Sequence, residues 1–175
     1  MKPIYLYILF ALLIISCKQG DGNQNTQENV GTENTEENIE TTVPGIEKLE
    51  FTDSIYLAAN QNMRFDKDLF RIKAGNKIIL NFKNTEAKSE MSMLHNVVVL
   101  NKGTDIVDFT EEAAKASADQ YIPSKFASSI ISHTRAISGQ ESEQIEFTIP
   151  EPGVYYFICS YPGHWGTMQG KIVAE

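Results

Sequence analysis

The apolar and polar positions of the chain change rhythm twice. From Ile4 to Ile15 the side chains are continuously apolar or aromatic, and the run stops at Ser16 and Cys17. From Lys18 to about Pro44, Asn, Gln, Glu, Thr and Gly dominate, with Val30 and Ile39 the only larger aliphatic residues before Val43. From about Ile46 to Glu175, short β-prone runs alternate with turn formers: Leu49–Ala58, Leu69–Lys73, Lys77–Asn84, His95–Leu100, Gln144–Ile149, Val154–Cys159 and Gly170–Ala174. Ala74-Gly75-Asn76, Asn101-Lys102-Gly103 and Pro150-Glu151-Pro152-Gly153 separate several of them, as Gly, Pro and Asn do where the backbone must reverse. Ile78, Leu80 and Phe82 alternate with Lys77, Asn81 and Lys83, the period of a strand with one buried face. Seven or eight such strands predict an all-β sandwich. One segment departs from the pattern. Thr110–Gln120 offers a capping hydroxyl, Glu111 and Glu112 in a first turn and an Ala-rich body, which predicts a short helix. It lies inside a long excursion from Asn101 to about Gly139.

The three regions read as a signal peptide (1–16), a tether (17–45) and one folded domain (46–175). Lys2 followed by a short apolar run is the signal pattern. The twelve residues Ile4–Ile15 would span about 18 Å as a helix, at roughly 1.5 Å per residue. That is short of the roughly 30 Å of bilayer hydrocarbon, so a transmembrane anchor is disfavoured. Ile14-Ile15-Ser16-Cys17 resembles a bacterial lipobox, in which the cysteine is lipidated and becomes the mature N-terminus. Membrane attachment through Cys17 in the cell envelope, on the periplasm side or at the cell surface, is the expectation. The polar segment after it has too little apolar surface to offset its ordering entropy and reads as disordered. At about 5–6 Å times the square root of its length, it would hold the domain roughly 30 Å from the anchor.

Charge narrows the partners. The net charge of −8 argues against nucleic acid, since a duplex binder needs clustered Lys and Arg to displace phosphate counterions. Lys18–Ile46 carries six acidic residues against one Lys, and Glu47–Glu175 carries seventeen acids against thirteen bases. The acidic excess per residue is therefore greatest in the tether. Cys17 and Cys159 are the only cysteines. If one is lipidated and the other metal-bound, neither needs a disulfide partner.

The candidate chemistry lies near the C-terminus. Cys159 ends a strand, a Pro162-Gly163 turn follows, and His164 and Met168 come next. One short loop thus presents a thiolate, an imidazole and a thioether to a common centre. Soft sulfur with imidazole selects copper, and two His and one Cys with a weak axial Met is the donor set of blue-copper electron-transfer sites. His95, opening the run Asn96–Leu100, is the candidate second imidazole. His133 has no sulfur or carboxylate cluster beside it and reads as a surface or partly packed residue. The expected metal ligands are therefore His95, Cys159, His164 and Met168.

The spacing Cys-x4-His-x3-Met, with Ser160-Tyr161-Pro162-Gly163 inside it, resembles the cupredoxins of the azurin and auracyanin type, and His95-Asn96 resembles their upstream ligand motif. The likeness continues through Tyr121–Phe147 and covers nearly all of Phe51–Glu175. It implies a Greek-key β-sandwich with a helix in a flap excursion, one type 1 copper ion cycling between Cu+ and Cu2+, and redox partner proteins in an envelope electron-transfer chain. By the same likeness Asn96 ties the two ligand loops together. Leu94 stands where azurins have a glycine whose carbonyl approaches the metal, and the azurin disulfide has no cysteines here to form it.

An electron carrier is the first functional expectation, and a copper-storage or delivery lipoprotein is the alternative. Enzymatic copper chemistry is not expected: three histidines in the chain leave no ligands for a second centre. Met63, Met91 and Met93 read as packing or loop residues rather than copper-delivery thioethers. Trp165, Pro162 and Leu94 are candidates for an apolar collar against which a redox partner docks.

Overall fold

The computed structural model describes residues 43–89 and 93–175, within the compact unit Ile39–Glu175. The expected signal peptide, the lipidated Cys17, nearly all of the tether and Met91 lie outside the described residues. Among those described, no helix is long and apolar enough to cross a membrane.

The strands in chain order are β1 (Ser54–Asn60), β2 (Arg64–Phe65), β3 (Leu69–Ile72), β4 (Lys77–Asn84), β5 (Val98–Leu100), β6 (Ile130–His133), β7 (Ser142–Thr148), β8 (Gly153–Ile158) and β9 (Gln169–Ala174). They form two sheets, ordered β2-β1-β4-β7 and β3-β9-β8-β5-β6. β1 runs parallel to β4 and β3 parallel to β9, with the other pairs antiparallel. The β-sandwich expected from the alternation is therefore the fold.

Period-2 patterning decides which side chains enter the core. Ile55, Leu57 and Ala59 of β1 lie beside Ile78, Leu80 and Phe82 of β4 on the inner face of one sheet, and Phe70, Phe157 and Ile172 close the core from the other. Phe157 lies 5.5 Å from Phe65 and 5.7 Å from Phe70, centroid to centroid. Gly170, paired with Phe157 in the β8–β9 ladder, leaves room for that ring: a Cβ there would sit 2.3 Å from its Cζ. Burial of such side chains contributes about 1.5–3 kcal/mol each.

β5 is buried on both faces, because the excursion between β5 and β6 folds over the outside of the second sheet. Its helix α1 (Ile106–Ala113) packs Phe109 and Ala113 onto Val98, Leu100 and Ile158. Phe126 meets Phe109 edge-on at 5.4 Å. The long continuous apolar run of β5 thus reflects two partners rather than one.

Four sequence expectations need correction. The helix begins four residues before Thr110. Asp105 is the cap, its carboxylate accepting from the Val107 and Asp108 amides at 2.9 and 3.0 Å, while the buried Thr110 hydroxyl bonds back to Ile106 O and Val107 O. An Asp cap and the apolar spacing Ile106, Phe109, Ala113 outweigh the Ala-rich stretch downstream, which ends in a 3-10 turn at Ser117–Asp119. The first strand runs Ser54–Asn60 rather than Leu49–Ala58. The His95 strand starts only at Val98. β6 and the two-residue β2 were not expected, and they raise the strands from seven or eight to nine among the described residues.

Candidate metal centre

The C-terminal loop is shaped by its turn residues. Ile158, the last residue of β8, pairs with Gln169, and the Cys159 amide donates to Met168 O at 2.9 Å, so the ladder extends one step beyond the strand. Within Tyr161–His164 the His164 amide donates to Tyr161 O at 3.1 Å, and Gly163 has φ +81°. Pro second and a positive-φ Gly third is the type II turn. The chain then coils once, with the Thr167 and Met168 amides both donating to His164 O. Cys159, His164 and Met168 thereby occupy one tight segment, and all three are buried.

The second imidazole is delivered from the other side. His95 exchanges backbone hydrogen bonds with Ile137, at 3.1 Å through its amide and 2.9 Å through its carbonyl. This isolated bridge fixes the backbone of His95 although it lies outside β5. The ligand atoms of His95, Cys159 and His164 all fall within 4.8 Å of one another. The two imidazole rings lie 4.9 Å apart, and Cys159 Sγ is 3.7 Å from His164 Nδ1. His133 is exposed, on β6 opposite Val98, with Nδ1 3.1 Å from Thr134 O, and takes no part.

Asn96 was expected to join the ligand loops, and its contacts do so. Its Oδ1 accepts from the Ser160 amide at 2.8 Å, and its Nδ2 donates to Ser160 Oγ at 2.8 Å. Ser160 Oγ in turn donates to Tyr121 O at 2.8 Å. Asn96 follows His95 and Ser160 follows Cys159, so one buried pair of hydrogen bonds sets the separation of two candidate ligands. Ser160 and Tyr121 were not singled out from the sequence: a serine after a cysteine carries no signal until its partner across the fold is known.

Electrostatics suit a cation. Both ring nitrogens of His95 are buried without a hydrogen-bond partner, an arrangement that is costly unless something else satisfies them. Burial, and secondarily the neighbouring His164, lowers the pKa of His95 from 6.5 to about 4. Burial lowers that of His164 as well. Both imidazoles are therefore neutral near pH 7, with lone pairs free to coordinate. Burial pushes the Cys159 thiol up to about 11, against backbone hydrogen bonds from Asn96 and Tyr161 that favour the thiolate. Metal binding must displace that proton, as it does for thiolate ligands generally. The orphaned nitrogens of His95 and the sulfur–imidazole donor set fit one copper ion.

These shifts set a pH dependence for the metal-free protein. Between pH 6.5 and about 4 the unfolded chain protonates its position-95 imidazole while the folded chain does not. Stability rises with pH wherever the unfolded state holds more protons. The metal-free domain is thus expected to lose stability as pH falls through that window. Thermal melting followed from pH 7 down to pH 4 measures this, and a flat profile contradicts it.

Of the expected collar, Pro162 is exposed while Leu94 and Trp165 are half-buried. Trp165 and Pro162 line a recess of about 210 Å³ against Thr110, Glu111 and Ala114 of α1 and its end. Leu94 is not among its lining residues. Met63 is exposed, with φ +53°, and its carbonyl accepts from Thr167 Oγ1 at 2.8 Å, which makes it a loop residue rather than a packed one.

Residues 53–175 match the family model "Copper binding proteins, plastocyanin/azurin family". Auracyanin-A of Chloroflexus aurantiacus is 31% identical over 117 residues, covering 66% of this chain and 69% of that protein. Azurin of Alcaligenes faecalis is 30% identical over 122 residues, covering 67% of this chain and 94% of that protein. The solved structure of dithionite-reduced auracyanin from Roseiflexus castenholzii superposes with a TM-score of 0.65 at 32% identity, covering 72% of this chain and 99% of that one.

Proposed function

The chain belongs to the plastocyanin/azurin family of copper-binding proteins, and on that premise we propose that it is a lipid-anchored one-electron carrier of the bacterial cell envelope. Its copper would be held by His95, Cys159, His164 and Met168. Bound there, copper supplies a Cu+/Cu2+ couple. The observation that carries the reading is the enclosure of the donor set: His95 and Cys159 are fully buried, His164 is 3% exposed, and the only unsatisfied groups among them are the two nitrogens of His95. Such a site leaves no entry for a substrate. It keeps its ligands fixed through the Asn96–Ser160 pair, so little need move when the charge of the centre changes by one. Enclosure also favours retention of the ion over its hand-off, which ranks the carrier above a storage or delivery protein.

The test is a visible spectrum of the copper-loaded, oxidised protein followed by repeated reduction and reoxidation. An intense thiolate-to-copper band at about 600 nm, returning undiminished after each cycle, is the expected result. Absence of the band excludes the donor set. A band that fades as copper passes to an acceptor protein while no electron does favours delivery.

Attachment is a separate proposal, resting on the apolar run that ends at Cys17. The intact protein is expected in the detergent-soluble membrane fraction and a Cys17→Ser variant in the soluble fraction. An unsubstituted protein that is already fully soluble contradicts the anchor. The acidic tether would give the domain the reach to meet more than one redox protein.

A further inference from the structure

The candidate centre has an aromatic neighbour that holding a metal does not require. The Tyr161 ring packs at a tilt against that of His164, with centroids 4.7 Å apart at 41°. Tyr121, from the middle of the excursion, meets Tyr161 nearly edge-on at 4.8 Å and 65°. With His95 and His164 at 4.9 Å, four rings form a continuous series from the buried donor set to Tyr121, which is partly exposed. Each contact is within the range at which aromatic pairs touch.

The backbone that places Tyr121 is unusual. Gln120 and Tyr121 have φ +59° and +62°, two consecutive non-glycine residues in the left-handed region that L side chains disfavour. The strain is held by specific bonds. The Tyr121 amide donates to Ala116 O at 2.9 Å, Gln120 Oε1 accepts from the Ala136 amide at 3.2 Å, and Tyr121 O accepts from Ser160 Oγ. The clamp that joins the ligand loops therefore also fixes the strained turn. Strain held by its surroundings in this way concentrates at functional positions.

We propose that Tyr161 and Tyr121 form an aromatic lead that couples His164 to the surface around residues 121–125, giving the electron a second exit besides the loop around His164. This rests on the copper-carrier reading and names a route for it. Rings in van der Waals contact bridge the two ends with few gaps, and electronic coupling falls more steeply across a gap than along packed π density. One electron leaves the reduced centre and one reaches a one-electron acceptor docked at this surface. The centre is oxidised and the acceptor reduced by that single charge. No bond is made or broken, and both phenols keep their protons.

The test uses the full chain carrying Cys17→Ser, copper-loaded, with a thiol-linked ruthenium polypyridyl photo-oxidant at one of two sites. Lys125→Cys places it at the exposed end of the 121–125 segment. Lys77→Cys places it on the exposed start of β4 in the other sheet. A flash generates ruthenium(III), and the rate at which it takes an electron from the reduced centre is read optically. Tyr121→Asn removes the outer ring while suiting the left-handed backbone. Tyr161→Leu removes the inner ring, and Tyr161→Phe keeps it. From Lys125→Cys, the Tyr121→Asn and Tyr161→Leu variants are expected to slow transfer severalfold, because each opens a gap in the series of rings. Tyr161→Phe is expected to keep the rate, and from Lys77→Cys all three variants are expected to keep it. The visible band and the reduction potential are expected to be unchanged, which a merely structural role for the rings would not ensure. Equal rates with and without the rings from Lys125→Cys, or equal slowing from both labels, overturn the lead. A parent protein lacking the blue band instead overturns the copper reading beneath it.

Discussion

Cys159→Ser is expected to abolish the intense visible band of the copper-loaded protein and to end reversible electron exchange, while the metal-free domain still folds. Serine is nearly isosteric with cysteine, so the core around position 159 changes little in volume. The hydroxyl, however, does not ionise to a soft anion under any condition in which the domain is folded. The Cys159 amide would still donate to Met168 O, and Asn96 would still hold Ser160, so the loop keeps its shape and the loss falls on the donor. Even an outer partner of a metal ligand is worth about 10- to 100-fold in affinity. Removal of the thiolate itself should exceed that, leaving two imidazoles and a thioether to bind copper weakly. Copper titration followed by visible absorption and competition with a chelator measures it. Retention of the strong band in Cys159→Ser would place the chromophore elsewhere and remove the premise of the site.

The candidate site was legible because its chemistry is concentrated. Three of the four candidate ligands fall within ten residues, Cys159 to Met168, and a Pro-Gly turn inside that segment dictates how the chain reverses. The strand faces were legible for a similar reason, since the alternation in Lys77–Asn84 is local and reappears as Ile78, Leu80 and Phe82 in the core. What a local pattern does not carry is the partner. Nothing in Ser54–Asn60 or Lys77–Asn84 states that the two run parallel side by side, because period-2 patterning fixes a face and not a neighbour.

The errors share that origin. His95 was expected to open a strand, yet its ladder is a single bridge to Ile137. Two residues later the Val97 amide is taken by the Thr134 hydroxyl at 3.0 Å, and Val97 O accepts from the Thr134 amide. The interruption frees Asn96 to turn its amide toward Ser160 rather than into a sheet face. A strand predicted from apolar residues alone misses it, because the ladder is interrupted by a hydroxyl from Thr134, far along the chain. β6 was missed because Ile130–His133 carries only two aliphatic residues and sits beside a serine-rich stretch. Its position follows from β5, which it flanks. The helix was misplaced where two caps competed. Asp105 won because the turn it starts buries Phe109 and Ala113 against β5 and β8, a gain that the exposed Ala-rich segment does not offer.

Asn96→Leu tests how far the site depends on its hydrogen-bonded frame. Leucine keeps the approximate volume and removes both polar ends, so the Ser160 amide loses its acceptor and Gln120 O loses the weaker 3.4 Å contact from Nδ2. Asn96 and Ser160 are both buried, so water does not readily replace what is lost. Each buried polar group left unpaired costs roughly 1–3 kcal/mol, which gives about 2–4 kcal/mol for the substitution and a drop on the order of 10 °C in melting temperature. Because the pair sets the spacing of the His95 and Cys159 segments, copper affinity should also fall by about tenfold or more. Ser160→Ala removes the hydroxyl that links Asn96 to Tyr121 and should cost less, since the Ser160 amide keeps its bond to Oδ1. Partners in one network do not contribute independently, so the double variant is expected to lose less stability than the two single variants added together. Additive losses would mean that Asn96 and Ser160 act separately, and unchanged copper affinity in Asn96→Leu would mean that the ligands are positioned by the β8–β9 ladder and the Ile137 bridge alone.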